Sequence, residues 1–171
     1  HRPNRRQRQM CIRDSLGDSN STKVIYEFVD YNCGYCQKFH QELINVMKDN
    51  SLKLVIIQMP ILGNFSEELT KLALASSLQG QFKVVHNYLY STERKSKMED
   101  ILADLFLRGV DLDILKNDLD SQEVSDFLSI HRGYADEFKF TGTPATIIGN
   151  QIIPGFIDAD KITEILEKEF S

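Results

Sequence analysis

Apolar and polar positions alternate with a short period at the two ends of the chain and a helical period in the middle. KVIYEFVD, residues 23–30, is rich in β-branched and aromatic side chains and predicts a strand. QKFHQELINVMKDN, residues 37–50, places Phe39, Leu43, Ile44 and Met47 on one face of a helix. Residues 53–59 predict a second buried strand, stopped by Pro60. From 64 to 137 the pattern is helical throughout. It predicts a helix over Glu67–Leu78, capped by Asn64 or Ser66 and stopped by Gly80, and another over Gln81–Tyr90. The capping box Ser96-Lys-Met-Glu99 opens a third, ending near Gly109; Asp111–Leu119 and Ser121–Glu137 complete the block. No proline lies between Pro60 and Pro144 to break these helices. The tail returns to strand: TPATIIG and QIIPGF, joined by a Gly149-Asn150 turn. Asp158 then caps an amphipathic helix through Ile162, Ile165, Leu166 and Phe170. The order is β, α, β, a helical block, β, β, α, with residues 16–22 polar and loose.

A length of 171 residues favours one domain, and a hydrophobic share of 42% supports a sizeable core. No apolar run approaches the roughly 20 residues of a membrane helix. The first fifteen residues, HRPNRRQRQMCIRDS, stand apart: five of the 20 Lys+Arg, one of the 25 Asp+Glu, and no apolar period. They lack the apolar centre of a secretory signal, and a basic arm for nucleic acid is one reading of them. The better reading is a non-native adapter segment joined to a truncated protein. This gives a division into 1–15, foreign, and 16–171, the domain proper, with a helical insertion over about 64–137. Without the segment 15 basic and 24 acidic residues remain, a net charge of −9, which argues against a nucleic-acid partner. Of the three cysteines Cys11 goes with the segment, leaving one C-x-x-C.

Cys33-Gly34-Tyr35-Cys36 falls between the first strand and the first helix. Spacing by two brings both sulfurs onto one helical turn, within reach of a reversible disulfide. At the helix start the unpaired amides and the positive dipole end favour thiolate, which makes Cys33 the nucleophile and Cys36 the resolving thiol. A zinc site needs two more ligands at suitable spacing, but His1, His40, His86 and His131 are scattered, so neither metal nor cofactor is implied. Asn20-Ser-Thr and Asn64-Phe-Ser match glycosylation acceptors, a pattern common by chance. Glu27, mid-strand on the face of Ile25 and Val29, is either an edge residue facing water or a buried proton carrier. His40, four residues after Cys36 on the same helix face, reads as a structural histidine that could tune a thiol. Asp30 and Tyr31 read as the rim of the site. Gly142-Thr143-Pro144, taken by itself, is a turn before a strand.

VIYEFVDYNCGYCQKFH, QMPILG and TGTPATIIGNQIIPGF resemble the active-site strand, the second strand and the cis-proline loop of DsbA-like thiol–disulfide oxidoreductases. The likeness runs from about residue 23 to 170. It implies an α/β thioredoxin fold with an inserted all-helical subdomain, exported to the periplasm or another oxidising compartment. It implies catalysis by Cys33 and Cys36, with Glu27 as a buried acid near the resolving sulfur that exchanges its proton. It also implies a cis Thr143–Pro144 bond against the disulfide, leaving the Thr143 backbone free to pair with a substrate strand. Thr143, Pro144, Gly34 and Tyr35 are then the substrate-binding residues.

The partners so implied are thiol-containing protein substrates and a membrane protein that reoxidises or reduces the cysteine pair. Three activities compete. An oxidase passes its disulfide to exported substrates through a mixed disulfide. A DsbC-like isomerase or reductase shares Cys-Gly-Tyr-Cys, but is kept reduced and dimerises through an N-terminal region. The third is a non-catalytic redox-fold chaperone. The length of the helical block favours the oxidase. Gly34-Tyr35 adds no cation beside Cys33, so the reduction potential is expected between roughly −120 mV and roughly −270 mV, nearer the middle.

Overall fold

In the computed structural model, which describes residues 14–171, a five-stranded mixed sheet carries helices on both faces. The strands are β1 (Ser15–Gly17), β2 (Val24–Val29), β3 (Lys53–Gln58), β4 (Ala145–Ile148) and β5 (Gln151–Pro154), in spatial order β1-β3-β2-β4-β5. β2 and β3 are parallel, joined across helix α1 (Gly34–Met47), while β1, β4 and β5 each pair antiparallel. β3 sits inside the sheet and is covered on both faces, which is why LVIIQ is buried without alternation. β5, at the edge, alternates in exposure.

The pleat sends Ile25, Glu27 and Val29 of β2 toward α1, where Phe39 and Leu43 are fully buried. Val24, Tyr26 and Phe28 face the other way, where Phe28 packs edge-on against Phe140 and Phe138. Between β3 and β4 come the expected helices: α2 (Asn64–Leu78), α3 (Phe82–Leu89), α4 (Met98–Leu107), α5 (Leu112–Asp118) and α6 (Gln122–Glu137). α7 (Ala159–Phe170) closes the chain, its Ile162, Ile165 and Leu166 buried. Asp111, Ser121 and Asp158 cap α5, α6 and α7 through their side chains.

Three local expectations are corrected. Residues 16–22 are not all loose: Leu16 is buried at the centre of β1. A three-residue strand shows no period, and this one is held by backbone pairing to β3 and one apolar anchor. Gly17 ends it at φ 81, where a Cβ would collide with the Leu52 carbonyl oxygen. Second, α2 starts at Asn64 with Gly63 as its cap, and neither Asn64 nor Ser66 caps it. The preceding loop is instead fixed from outside, because the Asp30 carboxylate accepts the Ile61 and Leu62 N–H groups. Third, α4 starts one residue later than the capping box predicts, with Lys97 as its cap and no side-chain bond. Tyr88 Oη accepts the Lys95 N–H and sets where the chain enters. Of the segment expected to be foreign, residues 1–13, Cys11 among them, lie outside the described residues. Asp14 and Ser15 lie inside, with Asp14 buried and bonded by the Ser77 hydroxyl.

Candidate active site

β2 delivers the chain to the C-terminal edge of the sheet, where a turn leads into α1. The helix begins three residues before Gln37, so the C-x-x-C occupies its first turn and Cys33 is the N-cap. Cys33 is partly exposed, and its Sγ accepts the Cys36 N–H at 3.2 Å. That amide is one of the unpaired donors of the helix start, the kind of group that stabilises an anion. Cys36 is fully buried one turn deeper, and burial pushes its thiol far above the ordinary thiol range. The two free thiols therefore differ sharply in access, Cys33 outer and Cys36 inner.

The loop before β4 comes to the same place. Cys33 Sγ lies 3.6 Å from the Thr143 carbonyl, to which it donates, and the Thr143–Pro144 peptide bond is cis. Pro144 is buried, while Gly34 and Tyr35 face solvent. Tyr35, 68% exposed, stands with Ile61 and Leu62, 45% and 50% exposed, as large apolar side chains left uncovered at this end of the molecule. Asp30 connects these parts from below. It is buried, and besides Ile61 and Leu62 its carboxylate accepts the Asn32 N–H at 2.8 Å. So it ties the cysteine turn to the loop after β3 and is not a rim residue.

Glu27 is fully buried, so it is not an edge residue facing water, and its Oε2 lies 2.8 Å from His40 Nδ1. Behind His40 comes a run of polar groups that the sequence did not connect: His86 on α3, Tyr31 after β2, and Gln58 at the end of β3. Tyr31, expected at the rim, is 2% exposed and points inward, because its hydroxyl is drawn into this run. Tyr90 packs over the His40, His86 and Tyr31 rings. Its hydroxyl is pushed well above the phenol range by burial, then by the nearby charges of Glu27 and Cys36. Both the acid and the inner thiol are thus within electrostatic reach of one side chain.

A cation also arrives from the helical block. Arg94 donates from Nη1 to the Tyr31 carbonyl at 2.8 Å and lines, with Cys33, Gly34 and Gln37, a cavity of about 360 Å³. It lies 61 residues from Cys33 in sequence, in a loop without a motif, so nothing local signals it.

The family model described as thioredoxin matches residues 13–168. The chain belongs to the thioredoxin family. Among sequences, this thioredoxin-family chain is 24% identical over 170 residues to a probable disulfide bond formation protein D of Bacillus cereus, covering 91% of this chain and 77% of the relative. Among solved structures it is similar to a thioredoxin-like oxidoreductase from Silicibacter pomeroyi (TM-score 0.84, 26% identity, 97% of each chain). The fold is also that of the thiol-disulfide exchange protein alpha-DsbA2 from Wolbachia pipientis (TM-score 0.81, 23% identity, 98% and 99% covered).

Proposed function

We propose that the chain is a thiol–disulfide oxidoreductase that passes a Cys33–Cys36 disulfide to thiol-containing exported proteins, acting as an oxidase. The observation that carries this reading is the asymmetry of the pair: Cys33 accessible at a helix N-terminus, Cys36 buried beneath it and held as the thiol by burial. A substrate thiolate attacks Cys33 Sγ and breaks the disulfide, and the electron pair leaves on Cys36, which takes up a proton. A second substrate thiolate then attacks the substrate sulfur of the mixed disulfide and Cys33 departs as thiolate. The helix-end amide at Cys33 and the burial of Cys36 both favour this order of events.

In this reading Glu27 is the buried proton carrier for Cys36, a role supported by its full burial on the α1 face of β2. Gly34, Tyr35, Thr143 and Pro144 form the substrate face, supported by the exposure of the first two and the approach of the Thr143 carbonyl to Cys33. Substrates meet the cysteines in an oxidising compartment, where a membrane protein recharges them. The described residues contain no helix long and apolar enough to cross a membrane.

The test combines a glutathione redox titration with refolding of reduced and of scrambled ribonuclease. The expected result is a potential between roughly −120 and −270 mV and faster oxidation of the reduced substrate than rescue of the scrambled one. Strong rescue of scrambled ribonuclease by a monomer, or a potential as low as thioredoxin's, refutes the oxidase. No effect on either substrate leaves the chaperone.

A further inference from the structure

The cavity of about 360 Å³ beside Cys33 is lined by Asn32, Gln37, Ser91, Thr92 and Arg94 among others. Its volume lies at the small end of ligand cavities, which run from about 300 to 1,000 Å³. Of the substrate face assigned above only Gly34 reaches it; Tyr35, Thr143 and Pro144 do not line it. Apart from the thiol itself, Arg94 is the one ionisable group of ordinary pH in this lining, and no carboxylate belongs to it. The cavity is therefore positive in a chain that carries 25 Asp+Glu against 20 Lys+Arg.

Arg94 is also left without an ion-pair partner among the described residues, whereas Arg108 and Arg132 each hold a glutamate. A guanidinium has five N–H donors, and a single side-chain bond is formed here, from Nη1 to the Tyr31 carbonyl at 2.8 Å. Glu93, its neighbour in the chain, is turned to Arg108. Asp30 is buried, and its carboxylate already accepts the Asn32, Ile61 and Leu62 N–H groups. Burial holds the Arg94 pKa below the ordinary guanidinium value. A half-buried guanidinium with donors to spare suits the two oxygens of a carboxylate, which its planar fork can meet at once.

We propose that this cavity receives a carboxylate carried close to the substrate's reacting sulfur, with the Arg94 guanidinium as its partner and Cys33 Sγ as the point of attack. The inference rests on the reading of Cys33 given above. Two sources present this chemistry: a protein with Asp or Glu beside its cysteine, and a small acidic thiol such as glutathione. In either, the substrate thiolate attacks Cys33 Sγ, the Cys33–Cys36 bond breaks, and its electron pair leaves on Cys36, which takes up a proton. The carboxylate is held and not changed. Arg94 is a specificity residue, one that selects and places the substrate while the cysteines do the chemistry.

The experiment compares two alkylating probes of similar size, iodoacetate and neutral iodoacetamide, on the reduced protein. In each the Cys33 thiolate displaces iodide and forms an S–C bond, and peptide mapping gives the Cys33 rate. In Arg94→Ala the ratio of the iodoacetate rate to the iodoacetamide rate should fall roughly threefold to fivefold. Arg94→Lys keeps the charge and should keep most of the ratio. A change in the Cys33 thiolate fraction, or a shifted Tyr31 carbonyl, alters both rates together and leaves the ratio alone. Labelled Cys33 with the same ratio in Arg94→Ala overturns this proposal; Cys33 unreactive to both probes overturns the reading of Cys33 itself. If Arg94→Ala does not fold, nitrogen-15 NMR of arginine side chains in the unaltered protein decides. Carboxymethylation of Cys33 should move the Arg94 signal further than carboxamidomethylation does, and equal shifts overturn the proposal. Attack on the oxidised protein by reduced peptides, one cysteine flanked by Glu or by Lys, and by reduced glutathione separates the sources. A Glu-peptide rate that falls in Arg94→Ala points to proteins, and a fall for glutathione alone points to a small thiol.

Discussion

Acid should loosen the helical block through His131, a side chain remote from the cysteines. His131 sits on α6, 1% exposed, and its Nδ1 accepts the Gln58 backbone N–H at 2.9 Å. Burial pushes its pKa down to about 3. In the unfolded chain the ordinary value is about 6.5. The folded state therefore favours the neutral ring, and between those two values the unfolded state binds the extra proton. The contribution to stability is complete above pH 6.5 and is lost as pH falls toward 3. At about 1.4 kcal/mol per pH unit, lowering the pH from 8 to 5 removes about 2 kcal/mol. This figure depends on the unfolded value alone, as long as the folded value lies well below 5.

The measurement is urea unfolding of the reduced protein and of His131→Gln at pH 8 and pH 5. The glutamine oxygen can still accept the Gln58 N–H, so the variant should fold, at a cost of about 1–3 kcal/mol from looser geometry. His86, buried and neutral as well, is present in both proteins and cancels in the comparison. The unaltered protein should lose about 2 kcal/mol more than His131→Gln between the two pH values. Equal losses would refute the reasoning, because the ring would then titrate alike in both states.

Two further outcomes test the site. Alkylation of the reduced protein near neutral pH, read by peptide mapping, should label Cys33 first; earlier labelling of Cys36 would contradict its burial. Arg94→Ala should make the disulfide less oxidising, on the order of 20 mV in a glutathione titration, if the cation beside the Cys33 cavity favours thiolate. An unchanged potential would mean that the cation does not act on the Cys33 thiol.

What could be read from the sequence follows the range of each interaction. The β2–α1 unit, the β4–β5 hairpin and the Asp158 cap are local, and they form where the pattern puts them. β1 was hidden because three residues carry no period and its pairing partner lies almost forty residues on. The caps of α2 and α4 misled for a related reason: a distant side chain, Asp30 or Tyr88, fixes each entry, and the local capping residue goes unused. Asp30 and Tyr31 were placed near the site but given the wrong face. Period alone does not say that a residue just past a strand turns inward to meet a histidine 55 positions later.

The same argument bears on how the site works. The short-range motif supplies both sulfurs and the helix end, which is enough to identify the chemistry. Further groups around the cysteines come from the helical block: His86 and Tyr90 on and beside α3, and Arg94 in the loop after it. Gln37 fastens this assembly to α1 by donating to the Tyr90 carbonyl at 2.7 Å. The absence of a cation between the cysteines is thus not the whole charge environment, since the insertion brings one to the same cavity. If that cation acts on Cys33, the potential moves from the middle of the expected range toward its oxidising end. Arg94→Ala tests that shift, because it should change the equilibrium of the pair.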